Sequence, residues 1–331
     1  MKILFVGLGS IGQRHLVNAK KIFKGSEFYA LRIKNKNLLI KNTKASKIKD
    51  LGKFYKIKIV KDYKAALKIK PNLTFICSPS SKHLGDAIKF AETGSNLFIE
   101  KPLGRSKKLE KQLIKIIKRK KIITMVGYQT RFHPLVMKLK KIIKNNSYGK
   151  IVYANLNYLT FLPHHHKYEN YENSYAAQRN LGGGVIDGLI HEIDLITHFF
   201  GLPYKQNAIK NNSGLLKINC EDSFSSLMKF NVKKNIFDVF LRLSYVQSKE
   251  ERKISILFEK ALIKVCLVKN DMKIYSNKNF LKKRIKIKID RNKLFVDQLE
   301  YLKKCLVLKK NPPTSLLSNQ KTQKLFLDLV R

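Results

Sequence analysis

Two blocks of the chain carry side chains that could position a hydroxyl group and accept its proton. Glu100-Lys101-Pro102 is the first, and the run from Gly182 to Asp194, which holds Asp187 and His191, is the second. If that run is helical, Asp187 and His191 share a face, and the carboxylate would orient the imidazole and raise its basicity. Histidine suits proton transfer near neutral pH, so Lys101, His191 and Asp187 are the predicted catalytic residues. The alternative is an Asp/His pair on a helix surface.

A glycine-rich turn opens the chain's first predicted helix. Its residues are Gly7-Leu8-Gly9-Ser10-Ile11-Gly12. In a dinucleotide-binding turn the first glycine allows the sharp bend, the second lets the backbone approach a pyrophosphate, and the third lets the helix pack closely. The free N–H groups of the helix start would hold the anion. We therefore predict cofactor contacts from Gly7, Gly9, Ser10, Ile11 and Gly12; the alternative is a turn that is only rich in glycine.

The end of the second predicted strand bears on the choice of cofactor. NAD enzymes place a carboxylate there for the ribose 2′-hydroxyl. This chain reads Ala30-Leu31-Arg32-Ile33-Lys34 and has no acidic residue at that point. Arg32, with Lys34 or Lys36, would neutralise a 2′-phosphate, which favours NADP over NAD. The alternative is that a lysine-rich chain places a cation at almost any position.

The spacing of apolar runs predicts the elements that position these residues. Short apolar runs alternate with amphipathic stretches up to residue 125, which is the pattern of βαβ units. Predicted strands cover 2–6, 27–31, 57–60, 73–77, 96–99 and 122–126, and predicted helices cover 11–23, 83–92 and 107–119. The first part is thus predicted to be an α/β domain, a Rossmann doubly wound parallel sheet over residues 1–125.

A different pattern follows Pro134. We predict a helix to about 143, a strand over 151–159, an irregular stretch over 161–181 and a helix over 182–200. Apolar runs at 223–231, 236–245, 254–258, 261–268 and 272–275 lie too close together for helices between them, so they favour antiparallel pairing. Residues 126–331 are predicted to form an α+β domain with an open, mainly antiparallel sheet for substrate binding and oligomerisation. The C-terminal helix is expected to pack back on the first domain.

Composition narrows the classes of function. The 331 residues carry 68 Lys and Arg against 23 Asp and Glu, a net charge of +45. Such a charge is typical of polyanion binders, but here it is diffuse and mostly lysine, so we expect no specific nucleic-acid partner. No apolar run nears the roughly 18 residues of a membrane span, and the four cysteines form no CxxC pair. We expect a cytoplasmic protein without a membrane partner. We also expect no metal, since consecutive histidines such as 164–166 rarely converge on one ion.

The ordered set of motifs resembles the glucose-fructose oxidoreductase, inositol dehydrogenase and rhizopine-catabolism family (Gfo/Idh/MocA). The likeness spans nearly the whole chain. It rests on GLGSIGQRH at 7–15, CSPSSKH at 77–83, EKPLG at 100–104, GYQTRFHP at 127–134 and the GGG…D…H…D block at 182–194.

The resemblance implies hydride transfer between nicotinamide and a carbon of a sugar, amino sugar, sugar nucleotide or cyclitol. It implies that Lys101 positions the hydroxyl, that His191 is the general acid/base and that Asp187 is its partner. Further cofactor contacts are expected from Ser78, Pro79, His83, Glu100 and Lys101, and sugar or phosphate contacts from Gln129, Arg131, His166 and Tyr175. A finer likeness at 162–179 points to bacterial surface-glycan pathways. A homo-oligomer is implied; the alternative is a non-catalytic nucleotide-sensing or scaffold protein.

Overall fold

Two large β-sheets with helices against them, and one two-stranded sheet, make up the described part of the molecule. The structure is a computed structural model that describes residues 1–33, 37–41, 44–165, 167–276, 278 and 280–331. The strands of the first part are β1 Lys2–Val6, β2 Glu27–Leu31, β3 Leu38–Lys41, β4 Lys44–Lys47, β5 Lys58–Val60, β6 Leu73–Ile76, β7 Asn96–Ile99 and β8 Thr124–Val126. Its helices are α1 Ser10–Ile22, α2 Leu51–Tyr55, α3 Tyr63–Lys68, α4 His83–Glu92 and α5 Lys107–Lys120.

Six of these strands form a parallel sheet in the order β5-β2-β1-β6-β7-β8. The strands are continuous apolar runs because helices cover both faces; β6, for example, is buried at all four positions. The prediction of a doubly wound sheet is confirmed. Strand order reverses between β1 and β6, so the crevice at their carboxyl ends is where such a sheet holds a ligand.

The second sheet has eight strands in the order β10-β11-β12-β9-β13-β14-β15-β16. Only the pairing of β12 with β9 is parallel among them. The strands are β9 Ile151–Phe161, β10 Lys205–Asn211, β11 Ser223–Val232, β12 Asn235–Ser244, β13 Val246–Phe258, β14 Ala261–Cys266, β15 Asp271–Ser276 and β16 Leu281–Lys286. The helices are α6 Pro134–Lys144, α7 Val185–Gly188, α8 His191–Phe200, α9 Arg291–Val307 and α10 Gln320–Leu329.

Alternate residues of this sheet face a core made with α6, α8 and α10. Leu156, Val239 and Ile256 are buried against Leu139 and Phe199. The opposite face is open: Ile236 and Phe240, for instance, are exposed. The prediction of an open, mainly antiparallel sheet is confirmed, and its alternating pattern has the expected cause, one packed face and one free face.

Several elements differ from those predicted. The hairpin β3–β4 and the edge strands β10 and β16 were not anticipated, because they lack the apolar alternation that marks a half-buried strand; nearly every residue of β10 is exposed. The single helix predicted over 182–200 is instead two helices, α7 and α8, separated by Leu189 and Ile190.

Helix α9 returns to the first sheet and packs beside α1. Leu299, Leu302 and Cys305 join the apolar core on that side of the parallel sheet. Asn18 of α1 and Asn292 of α9 exchange two side-chain hydrogen bonds of 3.1 and 3.0 Å. Within the described residues, no helix combines the length and apolar character that a bilayer span requires.

Candidate active site

The glycine turn between β1 and α1 has the shape that a diphosphate needs. Gly7 has φ +94°, and a Cβ on Gly12 would lie 2.3 Å from the Gly7 carbonyl oxygen, so both positions require glycine. A Cβ on Gly9 would meet nothing within 4 Å, which leaves the helix start open to a ligand. No side chain caps α1, so the amides of Ser10 and Ile11 remain available to an anion. The turn therefore fits a dinucleotide cofactor.

Arg32 follows β2 at the same edge of the sheet. Its Nη1 lies 3.2 Å from Oδ1 of Asn37, the residue before hairpin β3–β4. Gln13 fastens this hairpin to α1 by donating to the Leu38 carbonyl at 2.8 Å and accepting from the Ile40 amide at 3.0 Å. The other two cations proposed for a 2′-phosphate, Lys34 and Lys36, lie outside the described residues.

The loop after β6 is held from behind by residues that were predicted to contact the cofactor. The two ring nitrogens of His83 lie 2.7 Å from the carbonyl oxygens of Pro102 and Ser78, and the imidazole is buried. The Ser78 hydroxyl donates to Asp86 at 2.7 Å. Pro79 begins the short turn that follows, where its carbonyl accepts from the Lys82 amide. The side chains of His83 and Ser78 thus connect loops.

Glu100, at the end of β7, is also occupied by protein groups. Its Oε1 lies 2.7 Å from Nε2 of His15, and its Oε2 accepts from the Lys101 amide at 3.0 Å. A Cβ on Gly127 would lie 3.0 Å from the carboxylate, so that position must stay small. Glu100 therefore fixes the backbone that carries Lys101, and its carboxylate does not point freely into the crevice.

Lys101 reaches across to the second sheet domain. Its Nζ donates a 2.8 Å hydrogen bond to the carbonyl of Gly188, where α7 ends. Burial lowers the pKa of Lys101, and the charge of Glu100 opposes that shift. The lysine is thus placed at the carboxyl ends of the parallel strands while touching the element that leads to His191.

His191 lies at the first position of α8 and is buried. Its Nε2 is 3.1 Å from Nε2 of Gln129, so the amide donates to a neutral imidazole. Burial lowers the pKa of His191 well below its usual value, and the charges of Lys101, Arg252 and Arg291 lower it further. The structure therefore brings three sequence-predicted residues together: Lys101, His191 and Gln129.

Asp187 does not pair with His191, contrary to the prediction. Its carboxylate binds Arg105, with Nε 3.4 Å from Oδ1 and Nη2 in contact with Oδ2. His191 Nδ1 has no partner among the described residues. The helix break is the reason: the Gly188 carbonyl accepts from Lys101, and α8 starts only at His191, so the four-residue spacing does not put the two side chains on one face.

The charge of Asp187 predicts a pH-dependent stability. Burial raises the pKa of Asp187 to about 6, although Arg105 opposes the shift. Asp187 then binds a proton more tightly in the native state than in the unfolded chain, where its pKa has the usual value of 3.8. Its contribution to stability therefore falls as the pH rises from 3.8 towards 6. We expect Asp187→Asn to remove a slope of up to about 1.4 kcal/mol per pH unit in that window. Urea unfolding between pH 4 and 8 measures this, and parallel curves for the two proteins would contradict it.

Of the residues predicted to contact substrate, Arg131 is placed differently, Tyr175 lies near the site and His166 is not described. The Arg131 guanidinium binds the buried Asp194 at 2.8 and 2.5 Å and Asn319 at 2.6 Å. It is therefore a buried structural ion pair and is unavailable to a sugar. Tyr175 is partly exposed and close enough to Glu100 and Asp187 to feel their charges. His166 lies outside the described residues.

Arg252 and Glu192 are site residues that sequence reasoning missed. Arg252 Nε donates to Glu192 Oε1 at 2.6 Å, its Nη2 donates to Thr130 at 3.2 Å, and its guanidinium stacks 4.7 Å from the Tyr158 ring. The alternation of β13 could have indicated Arg252, since residues two apart lie on the same face of a strand and Ile254 is buried. Glu192 is the immediate neighbour of His191.

The irregular stretch before α7 crosses the crevice towards the first sheet. The Tyr168 side chain is hydrogen-bonded to Ser10 at the start of α1. Near its other end, Ser80 donates to the carbonyls of Leu181 and Gly182 at 3.1 and 3.2 Å. This crossing puts second-domain residues beside the glycine turn. Within the described part of the chain no group of three or more His, Cys, Asp and Glu could hold a metal ion.

Comparison with known families decides the relationship. Residues 1–128 match the family model described as an oxidoreductase family with a NAD-binding Rossmann fold, and residues 136–264 match the C-terminal domain model of the same family. The chain belongs to the Gfo/Idh/MocA family. The glycine turn has the shape that a dinucleotide needs, and the family model describes the Rossmann fold as NAD-binding.

Curated relatives match parts of the chain. A levoglucosan dehydrogenase of Pseudarthrobacter phenanthrenivorans is 30% identical over 136 residues, which are 40% of this chain and 34% of the relative. A NAD-dependent scyllo-inositol 2-dehydrogenase of Bacillus subtilis is 29% identical over 131 residues, 38% of this chain and 34% of the relative. The chain spans 41% and 52% of two other relatives, an oxidoreductase of Formosa agariphila and an uncharacterised oxidoreductase of Bacillus subtilis.

Solved structures share the whole fold. An oxidoreductase from Agrobacterium radiobacter, in complex with NAD+, L-tartaric acid and magnesium, superposes with TM-score 0.80 at 16% identity and covers 98% of this chain and 94% of its own. The WlbA dehydrogenase from Bordetella pertussis, in complex with NADH and UDP-GlcNAcA, superposes with TM-score 0.79 at 17% identity and covers 100% and 95%. At this identity the likeness concerns the fold.

Proposed function

We propose that the protein transfers a hydride between a nicotinamide cofactor and a carbinol or carbonyl carbon of a sugar, amino sugar, sugar nucleotide or cyclitol. One observation carries the proposal: Lys101, at the carboxyl ends of the parallel strands that also carry a glycine turn shaped for a diphosphate, binds the Gly188 carbonyl and lies close enough to His191 to lower its pKa. The names of the relatives, which include inositol and levoglucosan dehydrogenases, support the same class of reaction. The measurement that tests it is turnover with a panel of such compounds and both nicotinamide cofactors.

In this proposal each polar group has a separate task. The nicotinamide supplies the hydride acceptor or donor. Lys101 directs its ammonium group at the substrate hydroxyl, exchanging its present bond to the Gly188 carbonyl for one to the substrate. His191 is neutral and takes the hydroxyl proton at Nε2, the atom that Gln129 now contacts. Asp187 is held by Arg105, so we assign it to positioning of the surrounding loop.

We further propose a preference for NADP over NAD. Arg32 follows β2, where a carboxylate would otherwise receive the ribose hydroxyls, and the turn contains no acidic residue up to Lys36. We expect NADPH to bind more tightly than NADH, and Arg32→Ala to weaken NADPH about tenfold while NADH changes less than twofold. Nicotinamide fluorescence titration at moderate salt measures both constants. Arg119→Ala, an exposed change on α5, is the control, and equal losses for both cofactors would contradict the assignment.

We also propose an activated-sugar substrate, a homo-oligomer and a cytoplasmic location. The solved structures that share the fold include a UDP-N-acetylglucosamine 3-dehydrogenase from Acidithiobacillus ferrooxidans, which supports an activated-sugar substrate and a role in bacterial surface-glycan synthesis. Residues 1–125 would bind cofactor and residues 126–331 would supply the substrate site. The exposed Ile236 and Phe240 on the open sheet face support a homo-oligomer. All four cysteines are unpaired, which supports a cytoplasmic location.

A further inference from the structure

The surroundings of His191 carry an excess of positive charge. Lys101, Arg252 and Arg291 are all close enough to act on the imidazole, and each disfavours its protonated form. Asp187, the carboxylate predicted to pair with the imidazole, is turned towards Arg105. Glu192 faces Arg252 and Glu100 acts on Lys101, so two of the three charges are offset and one is left over. A neutral sugar would leave this excess in place.

Arg252 is built into the site in a way that leaves part of its guanidinium free. Glu192 takes Nε and Thr130 takes Nη2, while Nη1 has no hydrogen-bond partner among the described residues. Stacking on Tyr158 fixes the plane of the group. The side chain is 17% exposed, so it is not fully closed off by protein atoms. A guanidinium fixed in this way presents its remaining N–H groups in one direction, which is the arrangement that planar carboxylates bind.

We propose that the substrate carries a carboxylate that binds Arg252, so that the protein acts on an acidic sugar. This rests on the proposed function and narrows its substrate class. The carboxylate would take the free N–H groups of Arg252 while Lys101 and His191 address a hydroxyl of the same molecule. It would also offset the excess charge next to His191, which lets the imidazole accept a proton more readily.

A structural reading of the same contacts competes with this one. In it, Arg252 serves only to fix Glu192 and the start of α8, and the substrate is neutral. The two differ in what a change at Arg252 does: a purely structural arginine affects all ligands equally, whereas a carboxylate-binding arginine affects only the charged ones. Comparing a charged ligand with its neutral counterpart therefore separates them.

The experiment uses the full chain saturated with NADH and two probes that differ only in charge, D-glucuronate and D-glucuronamide. Calorimetric titration at constant ionic strength gives the ratio of their affinities. For the natural chain we expect glucuronate to bind at least about tenfold more tightly, because hydrogen bonds to a charged group are the stronger ones. Arg252→Met should bring the ratio to about one, with NADH affinity changed less than twofold. Arg252→Lys should give an intermediate ratio.

Two further variants keep the test decisive. Arg242→Met removes an exposed arginine from β12, away from the site, and should preserve the ratio. Glu192→Gln removes the competing carboxylate and should raise the ratio, which tests the proposal even if Arg252→Met fails to fold. A ratio near one in the natural chain, binding of neither probe, or a ratio that Arg252→Met leaves unchanged would overturn the proposal. Failure to bind both NADPH and NADH would instead count against the proposed function.

Discussion

Replacing His191 by alanine should lower turnover by about 10²- to 10⁴-fold, the contribution that a positioned general base makes. His191 is a neutral base that contacts Gln129, and the charge of Lys101 lowers its pKa. Its imidazole is far from the glycine turn in sequence and makes no described contact with Gly9 or Ser10. NADH affinity should therefore change less than threefold, as measured by fluorescence titration.

The prediction is that turnover falls while NADH affinity is kept. Steady-state kinetics are to be measured with the best substrate from a panel of sugars, cyclitols and sugar acids. His198→Ala serves as a matched control, since that histidine lies on the same helix and contacts Phe199. Activity of His191→Ala close to that of the natural chain would remove His191 from the mechanism. A joint loss of activity and NADH binding would indicate a folding defect.

Arg131→Met should destabilise the protein by about 3–5 kcal/mol, because it leaves a buried carboxylate without its partner. Asp194 is fully buried and accepts two hydrogen bonds from Arg131, with Thr322 as a further donor at 3.2 Å. Burial alone raises the pKa of Asp194, and Arg131 holds that shift back. Without the guanidinium, the carboxylate must take up a proton or remain charged in an apolar setting.

The measurement is the urea midpoint together with its slope. Arg131→Met combined with Asp194→Asn should recover much of the loss, since the second change removes the unpaired charge. Lys138→Met, an exposed change on α6, should stay within about 0.5 kcal/mol. If Arg131 were instead a substrate contact, as its position in the sequence predicts, Arg131→Met would raise KM and leave the midpoint unchanged.

The sequence was sufficient for the parallel sheet because each of its strands is a short apolar run with a helix on either side. The glycine turn could also be predicted, since Gly7 is required by its own positive φ and Gly12 by the Gly7 carbonyl oxygen, five residues earlier. Lys101 could be predicted from its place after β7. These features share a cause: their environment is made mostly by residues close to them in the chain.

The features that could not be predicted depend on partners distant in sequence. Arg105 meets Asp187 82 positions later, and Arg131 meets Asn319 188 positions later. At the break before His191, the Gly188 carbonyl accepts a hydrogen bond from Lys101, a residue of the other sheet domain. Helical spacing predicts contacts between residues on the same helix. It does not predict contacts with side chains that are distant in sequence. Arg252, on β13, was missed for the same reason.

The return of α9 to the first sheet sets an order for synthesis. Because Leu299, Leu302 and Cys305 complete a core that begins at β1, the nucleotide-binding unit stays unfinished until more than 300 residues have been made. At 5–20 residues per second, that leaves about 10–35 s between the emergence of β8 and that of α9. During this interval the apolar surface beside α1 that α9 later covers is exposed to solvent. We therefore expect the nascent chain to bind chaperones.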